Sequence, residues 1–407
     1  MSDDTIGDAN LEEKSKNIEH MKEMDNAANE VVAEVTASIE VTEEDKKEAA
    51  RKKKEQAKID SEAALALDLQ KDLEGFIQDK IDMSTSDGII ERLPTGIDVL
   101  DAILGGGFGL GTFSQIVGNP GTFKSALLGQ LIGQAQKKYN GKLLTAYYDS
   151  EVAMTTDRLS QLGVNNPKIR PYDNMVSVEK IFKTIEAFVS FKAVREIDHP
   201  GIIAWDSIAN TSVEKDFTTD DVNQTIGLKA RILSALFPRY IPKLKDNNIA
   251  LIAINQLREK LDMGMYSAPN DLKWLGDKVI PGGQAVKFNS FHLLHLRARN
   301  DLKYEKYGFN GLMVEARCIK NKFFKPNVPV ELIIDFNTGI SNFWTNLNFL
   351  EKTKRITGTN WKSFVADTSV KFQNKSAKDM YDNNTKNFKD IFDKEIVEAI
   401  RVEILEK

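Results

Sequence analysis

Four short apolar runs recur along the middle of the chain, and each ends in polar residues: QIVG (115–118), LLTAYYDSE (143–151), GIIAWDSIA (201–209) and IALIAINQL (249–257). Continuous apolar runs closed by polar turns read as strands buried on both faces, the habit of parallel sheets. Between them lie stretches with helical spacing, MTTDRLSQLG (154–163), VEKIFKTIEAFVSF (178–191) and LKARILSALFPRYIPKL (228–244). Ahead of them, from Ile89, IIERLPTGIDVLDAILGGGFGLG predicts a strand, a Pro-Thr-Gly turn, a short helix from Ile97 to Leu104 and a glycine-rich loop. Strands alternating with helices predict an α/β fold, a mainly parallel central sheet flanked by helices. Ligands in such folds sit beyond the carboxyl ends of the strands.

The ends of the chain read differently. Residues 1–60 are rich in Glu, Lys, Asp and Ala, with a basic block at Arg51-Lys52-Lys53-Lys54. Such a segment buries too little apolar surface to offset its ordering entropy, and is expected to be disordered or a solvated helix. Over 61–85, Ala64, Leu65, Leu67, Leu69, Leu73 and Phe76 recur at helical spacing. That apolar stripe can pack on its own domain or serve as an oligomerisation helix on a neighbouring subunit. The core then spans 86–340, and 341–407 forms a small helical module with Trp361 in its interior. No apolar run is long enough to span a bilayer and the N-terminus is acidic, so no membrane association is expected. One cysteine, Cys318, excludes an internal disulfide and a cysteine zinc cluster. The net charge of −5 does not advertise nucleic acid, so any such site has to be a local basic groove.

The chemistry concentrates after the first apolar run. Gly118-Asn119-Pro120-Gly121-Thr122-Phe123-Lys124-Ser125 leads from a strand into a helix-like pattern, the order of a phosphate loop. Backbone N–H groups and the positive end of the helix then face one anion. Lys124 reaches terminal phosphates, and the Ser125 hydroxyl ligates Mg²⁺ beside bound ATP. Phe123 stands where glycine is expected, and must keep a negative φ or be strained. Glu151, Asp206 and Gln256 end the other apolar runs and project toward the same edge. Asp206 is placed to hold the metal; Glu151 or its rival Asp149 can activate a water; the Gln256 amide can report a γ-phosphate. The long connection 257–283 carries Arg258, Lys260, Lys273 and Lys278, with Tyr266 and Trp274 as stacking groups and the N–H groups of Gly282-Gly283 as phosphate contacts.

In order, the phosphate loop, YDSEVAMTTDRLSQLGVN, IIAWDSIA, GLKARILSA, IAINQLREK, PGGQAVKF, CIKNKFFKP and DFNTGI resemble the RecA family of recombinases over about 85–340. The phenylalanine before the lysine looks like the T4-type phage recombinases, and INQLREK like the bacterial proteins. The resemblance implies a RecA-like phosphate-loop ATPase core and a helical homo-oligomeric filament on single-stranded DNA, pairing it with double-stranded DNA in strand exchange. It makes Glu151 the catalytic glutamate and Gln256 the γ-phosphate sensor. Gly227 and Arg231 match the first DNA-binding loop, with Arg258, Lys260, Gly282 and Gly283 on the second. Lys320 and Lys322 match lysines inserted into a neighbour's ATP site, and Phe288 a subunit contact. Arg158 stands where the family has a tyrosine over the adenine. Location in a bacterial or phage-infected cytoplasm, at the nucleoid, and loading or mediator proteins as partners are further implications. Two other readings stand beside it: a mediator or scaffold that binds ATP without turnover, for which Phe123 is the motive, and a ring-forming helicase of the same core fold.

Overall fold

The apolar runs pair side by side, and their burial alternates between the two faces of one sheet. Ile202 and Ala204 pack on one side with Ile252 and Ile254, while Ile203 and Trp205 pack on the other with Leu251 and Ala253. Period-two alternation with both faces apolar is what a strand covered by helices on each side requires. In this computed structural model the described residues are 51–58, 61, 90–151, 154–165, 176–217, 227–259, 275, 278–302 and 307–406. The first 50 residues, most of the helix expected over 61–85, and Lys260, Tyr266, Lys273 and Trp274 lie outside them. The chain divides into units Met1–Asp87 and Gly88–Lys407. In the first, residues 51–58 are helical with every side chain exposed, the solvated helix its charge predicts.

In the second unit, strands β1 (Phe113–Gly118), β2 (Leu144–Asp149), β3 (Gly201–Asp206), β4 (Ile249–Gln256), β5 (His292–Leu302), β6 (Gly311–Asn321), β7 (Pro329–Asp335) and β8 (Gly339–Ile340) build one sheet. Their order is β8-β7-β6-β5-β1-β4-β3-β2. From β2 through β3, β4 and β1 to β5 every pairing is parallel, and from β5 to β8 every pairing is antiparallel. The sheet is therefore mixed, with the parallel half carrying the strand ends of interest. The strand anticipated near Ile89 shrinks to Arg92–Leu93, paired only with Phe108–Gly109.

Helices α1 (Asp98–Leu104), α2 (Lys124–Lys138), α3 (Thr156–Gln161), α4 (Val178–Arg195), α5 (Leu228–Asp246) and α6 (Gln284–Asn289) accompany the core. Side-chain oxygens of Thr155 and Ser177 cap α3 and α4, accepting N–H bonds that would otherwise go unmade. α1 and α2 pack on one face of the sheet, α4 and α5 on the other.

After β8 the chain forms α7 (Asn342–Lys352), α8 (Asn374–Asp382) and α9 (Phe388–Ile400). The region is not purely helical: Ile356–Thr357, Lys362–Phe364 and Lys371–Phe372 make a small antiparallel sheet. Trp361, expected inside, is 62% exposed. Alternation explains it, because Lys362 and Phe364 point inward from this strand, which turns Trp361 and Val365 out. Phe343, Phe364, Phe388 and Phe392 fill the interior instead, continuous with the main core.

Candidate active site

The phosphate loop leaves β1, the strand flanked by β4 and β5, and runs into α2. Gly118 is required by crowding: a Cβ there would lie 2.4 Å from the Leu296 carbonyl oxygen on β5. Gly121 takes φ 74°, the left-handed turn that glycine enters freely. Phe123 also takes φ 62°, so of the two alternatives open to it the chain adopts the strained one. A left-handed non-glycine residue costs about 1–3 kcal/mol. Its ring stacks on Phe336, centroids 5.7 Å apart and planes 7° from parallel, which recovers part of that cost.

Lys124, Ser125, Glu151, Arg158, Asp206 and Gln256 line one cavity of about 370 Å³ together with Pro120, Gly121 and Phe123. The Lys124 ammonium is buried and donates to the Asn119 carbonyl oxygen at 2.7 Å. Burial lowers its pKa, and Asp206 and Glu151 work against that shift. Asp206 is the last residue of β3. Burial pushes its carboxyl up to about 6, with Asp149 and Glu151 adding to the rise while bonds from Ser125 and Tyr147 oppose it. The Tyr147 hydroxyl donates to its Oδ2 at 3.1 Å. Among the described residues no group of three or more His, Cys, Asp or Glu surrounds a cation position. Ser125 and Asp206 nevertheless fit Mg²⁺, which takes one or two protein oxygens and completes its shell from phosphate and water.

Glu151 does not end a strand. β2 stops at Asp149, and Glu151 sits in the following turn, where period-two alternation no longer applies. Asp149 shapes that turn: it is buried, and its carboxylate accepts the N–H groups of Glu151 at 3.1 Å and Met154 at 2.8 Å. Of Asp149 and Glu151, it is Glu151 that lines the cavity, beside Asp206. Its Oε1 accepts from the Ser207 hydroxyl at 3.0 Å, from the Asn210 amide at 2.7 Å and from the Gln256 amide. Arg158 spends its guanidinium on the carbonyls of Asn337 at 2.7 Å and Phe336 at 3.3 Å. Sequence reasoning missed Asn210, Tyr147 and Phe336. Tyr147 left a signal, two residues before Asp149 and hence on the same face of β2, and Phe336 stands within the DFNTGI motif; Asn210 left none.

A second group of predicted residues gathers on the neighbouring helices. Gly227 (φ 71°) caps α5 and Gly283 (φ 81°) precedes α6; a Cβ on Gly283 would lie 3.0 Å from that of Ala230 on α5. Gly282 is as crowded, its Cβ position 2.7 Å from Val286. Arg231 is exposed one turn into α5. Arg258 is exposed and reaches the Ala209 carbonyl at 3.5 Å, which Lys229 also contacts at 3.1 Å. Lys320 and Lys322 do not line the cavity of their own chain. Lys320 instead donates to the carbonyls of Lys287 at 2.9 Å and Phe288 at 2.7 Å, at the end of α6, and Lys322 lies over the Phe291 ring. Phe288 itself is 71% exposed.

Residues 79–341 match the sequence profile of the RecA N-terminal domain. The Protein RecA of Ehrlichia ruminantium (strain Gardel) is 30% identical over 284 residues, covering 66% of this chain and 73% of that protein. The Protein RecA of Crocosphaera subtropica is 26% identical over 297 residues, 72% and 79% of the two chains. That of Thermus aquaticus is 29% identical over 252 residues, 62% and 68%. No described helix is long and apolar enough to cross a membrane.

Proposed function

Since the chain belongs to the RecA family, we propose that it is an ATP-dependent recombinase that assembles as a helical filament on single-stranded DNA and catalyses homologous pairing and strand exchange. The observation that carries this reading is the meeting of Lys124, Ser125, Glu151, Asp206 and Gln256 on one cavity, with Gln256 the residue from which the 257–283 connection departs.

The roles follow from the contacts. Lys124 exchanges the Asn119 carbonyl for the terminal phosphates of ATP, gaining a charged acceptor for a neutral one. Ser125 and Asp206 hold Mg²⁺, which supplies positive charge against the phosphate oxygens. Glu151 orients a water toward the γ-phosphate and accepts its proton. To do so it gives up one of its three donors, and Gln256 is the one with another acceptor to go to, the γ-phosphate oxygen. Gln256 thereby reports occupancy to the chain that follows it. Arg158 holds the Phe336–Asn337 turn against the mouth of the cavity, where the base is expected to lie.

Gly227, Arg231, Arg258, Lys260, Gly282 and Gly283 form the DNA-facing surface in this reading, with N–H groups and guanidinium ions on the phosphate backbone. Phe288 buries itself in the next subunit, and Lys320 and Lys322 reach that subunit's ATP, so that assembly completes the site. The action belongs in the cytoplasm, where DNA is accessible. ATP hydrolysis measured with and without single-stranded DNA tests the proposal: strong stimulation by DNA, and joint-molecule formation lost in Lys124→Ala, are expected. Full joint-molecule formation by Lys124→Ala would overturn it.

A further inference from the structure

Two short strands close the 257–283 connection at its base. Arg258 pairs with Val279 and Glu259 with Lys278 in antiparallel register. Besides the Arg258 contact with the Ala209 carbonyl, two further side-chain contacts among the described residues join this stem and its flank to the body. The buried Asn255 side chain, next to Gln256, donates to the Pro281 carbonyl at 2.9 Å. On the other side, Lys278 Nζ donates to Asn119 Oδ1 at 3.0 Å and lies 3.3 Å from Glu259.

Asn119 is thus held from both sides. Its carbonyl takes the Lys124 ammonium at 2.7 Å and the Thr122 hydroxyl at 2.9 Å, while its side chain takes Lys278. The Asn255 attachment is part of the core and stays put. The Lys278 attachment ends on the one phosphate-loop residue whose carbonyl Lys124 releases when it turns to phosphate.

We propose that Lys278 is a positioning residue that ties the stem of the 257–283 connection to the phosphate loop through Asn119, so that nucleotide and DNA affinities are linked through this contact. The proposal rests on the recombinase reading and adds a residue to it. Linkage is reciprocal, so nucleotide must tighten DNA binding by the same factor as DNA tightens nucleotide binding. The competing structural account is the Lys278–Glu259 ion pair alone, a largely exposed contact that has no reason to respond to nucleotide.

The test is the ratio of affinities for a fluorescent oligothymidylate with and without a slowly hydrolysed ATP analogue, measured on the full chain. Lys278→Met and Asn119→Ala are each expected to cut that ratio by about fivefold or more, the low end of ordinary coupling. The double variant should lose no more than either single change, as a shared contact requires. Glu259→Gln should keep the ratio, and Lys278→Arg should restore part of it. An unchanged ratio in Lys278→Met, or losses that multiply in the double variant, overturns the proposal. If Lys278→Met does not fold, Asn119→Ala and Lys278→Arg decide, and an unchanged ratio in both overturns it equally. If the unaltered protein shows no nucleotide-dependent DNA binding, the recombinase reading falls as well; a nucleotide dependence that survives Lys278→Met sinks only the role of Lys278.

Discussion

The side-chain amide of Gln256 donates a hydrogen bond to the Glu151 carboxylate, joining the last residue of β4 to the turn after β2. With Ser207 and Asn210 also donating to Oε1, the carboxylate is ordered but occupied. In the proposed reading, sensor and base would therefore share one bond, and whatever takes the amide away would change the base.

Glu151→Gln removes the proton acceptor and keeps the shape of the cavity. DNA-stimulated hydrolysis is expected to fall by about 10²–10⁴-fold, the usual contribution of a general base. ATP binding, followed by equilibrium dialysis or a fluorescent analogue, should remain close to that of the unaltered protein.

Lys124→Ala takes away the only buried ammonium in the described lining of the cavity. Losing a charged hydrogen bond costs about 1.5–3 kcal/mol, so nucleotide affinity should fall roughly ten- to a hundredfold. Calorimetric titration with the ATP analogue gives that number directly.

Phe123 stands in the loop at φ 62° with its ring on Phe336. Phe123→Gly relieves left-handed strain and loses the stack on Phe336, two effects of about 1 kcal/mol each and opposite sign. Nucleotide affinity and melting temperature should both stay near their original values. A large loss of affinity would show that the ring itself is part of the binding site.

The filament role assigned to Lys322 can be checked by mixing. Lys322→Ala and Glu151→Gln are each expected to hydrolyse poorly alone. In a head-to-tail assembly the Lys322 of one protomer can serve the intact Glu151 of another. The mixture should then exceed the sum of its parts.

Acid should destabilise the fold before it protonates most carboxylates. His292 and His295 are buried on β5, and burial lowers both to about 4 from an ordinary 6.5. For His292 the bond with the Leu104 carbonyl opposes the shift and Arg92 adds to it; for His295, Glu315 opposes while Arg297, Arg317 and Lys278 add. The unfolded chain then binds the extra protons between pH 6.5 and 4, so stability is full above 6.5 and is lost as the pH falls toward 4. Each histidine contributes on the order of 3 kcal/mol across that window. Thermal melting from pH 7 to 4.5 should show the decline, and His292→Asn should reduce it by about half, His295 keeping the rest.

How much of this was legible beforehand depended on whether the signal was local. The parallel strands are legible because each is apolar on both faces; Lys124 follows from the phosphate-loop pattern, and Asp206 and Gln256 from strand ends. Glu151 reaches the cavity for a reason that strand alternation does not supply, since its place comes from the Asp149 turn. Strands β5 to β8 have no clean periodicity: β5 is buried over its first five residues and then largely exposed, because half of it lies against β1 and α1 and half extends past them. Asn210 left no signal, and Lys278 was visible only as one charge of the 257–283 connection, because their partners Glu151 and Asn119 lie 59 and 159 residues away. The sheet near Trp361 was missed because its strands are two or three residues long, too short to show a period.

The ladder of Arg258 and Glu259 with Val279 and Lys278 also bears on how such a chain can diverge. Fixed at its base, the segment it encloses can gain or lose residues without moving β4 or α6. Doubling an enclosed loop costs only about 0.6 kcal/mol of closure entropy. Length at this place is therefore cheap to change, and the enclosed segment can drift while the phosphate-loop cavity stays as it is.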